Sequence, residues 1–177
     1  LMKRLTRYLW PIALCMSVGF SASLFQREAI AEWYPFLNKR TTPPNGAFPI
    51  VWGILYILIG ISLGRIWGKG LKVSQREWWI QLALNFCWSI AFFFLRELRG
   101  MGIILILDVV VLDYILITFK KDKLAAACFM PYILWLYGNL PERLHLYLQL
   151  TQRTSATVSA YRHVLAILRT EERIRRY

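Results

Sequence analysis

Apolar residues fall along the chain in five long runs, 9–25, 50–67, 78–95, 101–119 and 124–140, divided by short stretches that hold most of the charge. Each run approaches the ~20 residues that an α-helix needs to cross hydrocarbon, where every backbone N–H and C=O must be satisfied within the segment. The pattern predicts an all-α membrane protein, a five-transmembrane-helix bundle built from residues 1–137. Residues 138–177 form a basic tail of different character. Of the connections only the first, 26–48, is long, and a long connection in a small bundle commonly covers a cavity.

Faces can be read inside the runs. In the third, Gln81, Asn85, Trp88 and Phe92 are spaced to share one stripe of a helix. Two amides and an indole at that depth face either a neighbouring helix, as interhelical hydrogen bonds, or a cavity, because unsatisfied polar groups in lipid are costly. In the second run Gly53, Gly60 and Gly64 share a face that permits close helix approach, to a neighbour in the bundle or to a second copy in a homodimer. Trp52 and Tyr56 lie one turn apart on an adjacent face.

Composition agrees with the runs. The chain is 57% hydrophobic with only 18% charged residues, and it carries eight Trp and ten Phe, too much apolar surface for one small soluble core. Trp10, Trp33, Trp67, Trp78 and Trp79 fall at or beyond run ends, where indoles form interfacial belts; Trp52, Trp88 and Trp135 lie inside and suit a ligand surface. Cys15, Cys87 and Cys128 sit one per run and read as small packing residues, and His145 and His163 both follow the last clean run, so no histidine metal or haem site is expected within the bundle.

The net charge of +12 would suggest nucleic acid in a soluble protein, but the cations cluster at run ends, where snorkelling and anionic headgroups explain them, and no nucleic-acid partner is expected. Lys3, Arg4, Arg7, Arg65, Lys69, Lys72, Arg76, Lys120, Lys121 and Lys123 share one side of a five-span chain, against five Lys and Arg on the other. That bias predicts an integral, multi-pass protein with a cytoplasmic amino terminus. Seven Arg in the tail oppose the orientation. Asp108 and Asp113, in the fourth run, are functional suspects, but at about 100° per residue they diverge by about 140° and do not form an acid/base pair.

Five stretches, in order, carry a resemblance: WYPFLNK at 33–39, the pair Pro43 and Pro44, VWGILY at 51–56, QLALNFCWSIAFF at 81–93 and PYILW at 131–135. Together they resemble the TspO/MBR family, the tryptophan-rich sensory proteins related to the mitochondrial translocator protein. The resemblance implies a five-helix bundle, commonly dimeric, that binds porphyrins and other hydrophobic ligands, including sterols in mitochondrial members, in a pocket roofed by the first loop. It implies pocket roles for Trp52, Asn85, Trp88 and Trp135, beside Tyr56 and Phe92 on the same faces, and lid roles for Trp33, Pro43 and Pro44. A flat apolar tetrapyrrole suits indole faces with few polar groups. The lid departs from the family pattern: Thr41 or Thr42, in a segment one residue short, and Gly46 stand at the two positions where it carries tryptophans.

The tail departs further. Glu142, Arg143 and His145 stand where the fifth helix should continue, and from Arg143 the alternation R-L-H-L-Y-L-Q-L has period two, which argues against a helix. A one-base slip at Gly138, with suitable codons, restores a family-like ending and a stop, so 138–177 is expected to be a frameshift product; as a true tail, residues 158–177 predict a basic amphipathic helix. The sequence thus predicts a non-enzymatic membrane receptor or sensor binding a porphyrin or haem-type tetrapyrrole, with no required cofactor. An oxidative porphyrin-degrading enzyme and a carrier coupled to protons through Asp108 or Asp113 are the alternatives.

Overall fold

A computed structural model describes residues 2–33, 47–95, 99–141, 143–145, 148, 151–152 and 155–163, and its regular elements among these are all helical. Helix α1 is Met2–Glu28, continued by a π-helical turn, Ala29–Trp33. Helix α2 is Ala47–Gly68, and α3 is Lys72–Ser89, extended by the π-helical turn Ile90–Phe94. Helix α4 is Arg99–Phe119, α5 is Lys123–Ala127 and α6 is Met130–Gly138.

Three helices, within Met2–Glu28, Pro49–Gly68 and Gly102–Phe119, are long and apolar enough to cross a membrane. The five-span expectation is therefore met in part, and the two shortfalls have local causes. Helix α3 starts six residues before the predicted run with the polar turns KVSQRE, because Gly70 at φ +65° reverses the chain directly after α2. The fifth run breaks at Cys128 and Phe129: Pro131, in the first turn of α6, offers no N–H to the Ala127 carbonyl, so a tight turn separates α5 from α6.

Helix α1 packs along α2, and α3 along α4. The core runs through Ile59, Leu63 and Ile66 of α2, Leu107 and Val111 of α4, and Ala125, Ala126 and Phe129 between them. The glycine stripe is used within the chain. A Cβ on Gly60 would stand 2.6 Å from the Ile12 Cα, and one on Gly64 would stand 2.9 Å from the Arg7 carbonyl. Pro11 has no N–H with which to satisfy that carbonyl inside α1, which leaves it free to approach the glycine.

Buried polar contacts fasten the end of the bundle where α2, α4 and the amino terminus meet. Ser62 donates to the Ala125 carbonyl at 2.7 Å and pairs with the Tyr114 hydroxyl at 2.6 Å, and Thr118 donates to Ser74 at 2.9 Å. Asp122 caps α5 by accepting from the Ala125 amide at 3.0 Å, and it takes Arg65 at 3.1 Å and Lys69 at 3.0 Å as ion pairs. Burial alone would raise its pKa, but the Ala125 amide and the two cations outweigh it and hold the carboxyl at about 2.

Three expectations change. Trp78 is no belt residue: it is fully buried and donates to the Ile59 carbonyl at 2.9 Å. Cys87 is exposed on α3, whereas Cys15 is buried. The chain is helical at 143–145 despite its period-two pattern, since the Arg143 amide donates to the Asn139 carbonyl at 3.0 Å and its guanidinium engages Asp108 at 3.0 Å and the Leu136 carbonyl. Residues 155–163 are helical and exposed, and the predicted amphipathic stretch beyond 163 lies outside the described residues.

Candidate functional site

The half of the bundle nearest the connection between α1 and α2 holds an aromatic cluster threaded by neutral hydrogen bonds. Trp52 and Tyr56 lie one turn apart on α2, with ring centroids 5.5 Å apart. Gly19 on α1 makes room for Tyr56, since any Cβ there would overlap the phenol ring. The Tyr56 hydroxyl donates to Asn85 Oδ1 at 3.2 Å, and Asn85 Nδ2 donates to the Tyr132 hydroxyl at 2.7 Å. One amide thus ties α2, α3 and α6 together. The edge of Trp52 meets Tyr132 at 6.0 Å, closing a ring of four side chains.

One turn further along α3, Trp88 stacks on Phe92 at 5.9 Å with planes 15° apart. Trp135 is one turn beyond Tyr132 on α6, and Trp52, Trp88 and Trp135 all pack partly buried against the core. One turn below Asn85, Gln81 is fully buried, and neither its amide nitrogen nor its oxygen has a partner among the described residues. A buried amide left in that state is costly, and a polar group of a ligand relieves the cost.

The structure therefore brings Trp52, Tyr56 and Asn85 together, with Trp88, Phe92 and Trp135 on the adjoining turns. Trp33 ends its π-helical turn, but its side chain, and Pro43 and Pro44, lie outside the described residues. Sequence reasoning missed Tyr132, the second partner of Asn85, and Gly19. Tyr132 was legible as a phenol inside an apolar run, three residues before Trp135; Gly19 had no signal, because its value lies in a ring contributed by another helix.

The cluster has aromatic faces and neutral hydrogen bonds with no ionised side chain of its own, the Asp108–Arg143 pair acting electrostatically on Tyr132 from outside it. No group of three or more His, Cys, Asp or Glu gathers among the described residues. It suits a flat, largely apolar molecule with a few polar edges. The two intramembrane carboxylates stand apart from each other. Asp108 is buried and paired with Arg143 of the tail at 3.0 Å, whereas Asp113 is exposed on the outer face of α4. The expected divergence of these two residues is what the helix produces.

Fold and cluster together define a small, tryptophan-rich, all-helical membrane protein. The TspO/MBR family model matches residues 11–138. The chain is 36% identical over 130 residues to the tryptophan-rich protein TspO of Archaeoglobus fulgidus, covering 71% of this chain and 84% of that one. It is 31% identical over 138 residues to protein CrtK of Rhodobacter capsulatus, covering 74% and 84%, and 27% identical over 136 residues to translocator protein 2 of Canis lupus familiaris, covering 71% and 78%. The chain belongs to the TspO/MBR family, and the match ends where the anomalous tail begins.

Proposed function

We propose that this chain is a multi-pass membrane receptor or sensor that binds porphyrins and related hydrophobic ligands in the cluster of Trp52, Tyr56, Asn85, Trp88, Phe92 and Trp135. The observation that carries the reading is the Tyr56–Asn85–Tyr132 hydrogen-bond chain beneath Trp52, a rigid neutral floor flanked by indoles. Such a floor presents indole and phenol faces that carry no charge of their own, which suits a tetrapyrrole ring, and sterols share the same apolar requirement. Relatives named tryptophan-rich sensory protein and translocator protein support a sensing or transport role. The lid is read as the connection carrying Trp33, Pro43 and Pro44.

The reading includes five crossings. Helix α3 with its π-helical extension covers Lys72 to Phe94, roughly 35 Å at ~1.5 Å per residue, and α5 with α6 makes a shorter, broken fifth. It also includes a homodimer, which must use a face other than the Gly60 and Gly64 surface already filled by α1.

The test is a porphyrin titration of the full chain followed by tryptophan quenching. Trp52→Ala and Trp88→Ala are expected to weaken binding about 10- to 100-fold, as for truncation of a buried aromatic anchor, while Trp67→Ala has no effect. Gln81→Met is expected to weaken binding without lowering thermal stability, since its amide has no partner to lose among the described residues. Affinity unchanged in both Trp52→Ala and Trp88→Ala would reject the site.

A further inference from the structure

At the opposite end of the bundle, a cleft of about 490 Å³ opens between the start of α1 and the end of α2, lined by Met2, Lys3, Thr6, Arg7, Trp10 and Trp67. Lys3, Thr6, Arg7 and Trp10 share one face of α1 at helical spacing. Trp10 meets Trp67 edge-on at 5.4 Å and stacks with Trp79 at 6.4 Å, so the wall is an aromatic shelf. This site is remote from the Trp52 cluster and was only partly legible as belt tryptophans and run-end cations.

The charge in the cleft is unbalanced. Arg65 and Lys69 are engaged by Asp122, but no ion pair engages Lys3 or Arg7 among the described residues, and no carboxylate lines the cleft. Arg7 is held rather than waving in solvent: its guanidinium lies where a Cβ of Gly68 would be and approaches the Tyr8 ring at 5.5 Å. Its Nε is buried without an acceptor among the described residues. The Thr6 hydroxyl proton is committed to the Met2 carbonyl at 2.9 Å, so the charged donors offered to a guest are the Lys3 ammonium and the Arg7 guanidinium.

A fixed guanidinium and an ammonium call for an anion with several oxygen acceptors, and a phosphate monoanion or diester meets both. The aromatic shelf is itself open, with Trp67 and Trp79 exposed beside Trp10, an apolar surface that would receive the acyl chains, while Leu5, Leu9, Met16 and Phe20 are exposed on a separate stripe further round α1. We infer that this cleft binds the phosphate headgroup of an anionic phospholipid, with the acyl chains lying against the aromatic shelf. The headgroup would cover the unbalanced cations, and the indoles would sit at headgroup depth, where amphipathic rings are stable.

The experiment measures lipid retention by native mass spectrometry of the full chain in detergent, offered phosphatidylglycerol or phosphatidylcholine at equal concentration. Preferential retention of phosphatidylglycerol is expected, with a loss of about fivefold for each of Lys3→Gln and Arg7→Gln, the effect of removing one cation near an anionic headgroup. Arg4→Gln removes the same charge from an exposed position outside the cleft and is expected to leave retention unchanged. Helicity by circular dichroism identifies a variant that fails to fold, in which case Lys3→Gln alone decides. Equal retention of the two lipids, or equal losses in Arg4→Gln and Arg7→Gln, overturns the inference. Displacement of the lipid by millimolar inorganic phosphate also overturns it, by showing a small-anion site.

Discussion

At the scale of residues, the cluster depends on one amide making two unlike contacts. Asn85 accepts from Tyr56 through oxygen and donates to Tyr132 through nitrogen, with both phenols buried. Asn85→Ala leaves both hydroxyls without partners and is expected to lower stability by about 1–3 kcal/mol for each orphaned group, read as a fall in the thermal midpoint. Asn85→Asp is also expected to destabilise, because an ionised carboxylate cannot donate to Tyr132 and is buried without a cation. Wild-type stability in Asn85→Ala would show that the amide does not tie the helices. The sequence made Asn85, Trp88 and Phe92 legible because they repeat at helical spacing on one element. Tyr132 and Gly19 were less legible because their roles come from other helices.

At the scale of elements, the glycines of α2 divide by what they face. Gly60 lies against the α1 backbone, whereas a Cβ on Gly53 would meet nothing within 4 Å. Gly60→Ala is expected to cost about 1–3 kcal/mol by forcing α1 away, while Gly53→Ala is neutral or slightly stabilising through helix propensity. Equal thermal midpoints in the two variants would contradict the packing. The spacing reveals the stripe but not its partner, because a neighbouring helix and a second copy would use the same small residues. The breaks in the helices show a similar division. Pro131 was visible in the fifth run, yet only the structure shows that it divides the segment into α5 and α6. The early start of α3 was hidden because its first turns are polar and their helix is set by the turn at Gly70.

The connection between α4 and α5 carries its own pH signature. Asp122 is held at about 2, below the ~3.9 of an unperturbed aspartate, so it binds fewer protons folded than unfolded. Its contribution to stability is complete above about pH 4 and is lost as pH falls toward 2. Asp122→Asn is expected to flatten stability across that window and to lower it at neutral pH, measured by thermal unfolding in detergent at stepped pH. An unchanged acid slope in the variant would show that the Arg65 and Lys69 pairs do not couple to folding.

At the scale of the whole molecule, the five-crossing reading makes the ends of the bundle alternate. Single cysteines at Lys69 and Lys121, in a background lacking Cys15, Cys87 and Cys128, are expected to react with an impermeant thiol reagent from one side of intact vesicles, and one at Arg96 from the other. The excess of Lys and Arg predicts that the first side is cytoplasmic. Labelling of Arg96 and Lys121 from the same side would remove α4 as a crossing. The membrane class was legible because it rests on run length and composition, which no packing detail can alter. The tail was the least legible part: its pattern argued against helix, but Arg143 reaches Asp108 and helical turns continue past Gly138.

The proposed function stands on a porphyrin binding at the Trp52, Asn85 and Tyr132 cluster of α2, α3 and α6 rather than on greasy surface elsewhere on the bundle. The direct measurement is photolabelling of the full chain with a diazirine-bearing porphyrin, followed by peptide mapping with and without excess unlabelled porphyrin. The account predicts competed labels within 51–56, 85–92 and 132–135. Labels confined to the Trp10 and Trp67 cleft, or spread over the lipid-facing residues of α1 and α4 and unaffected by competitor, would contradict it.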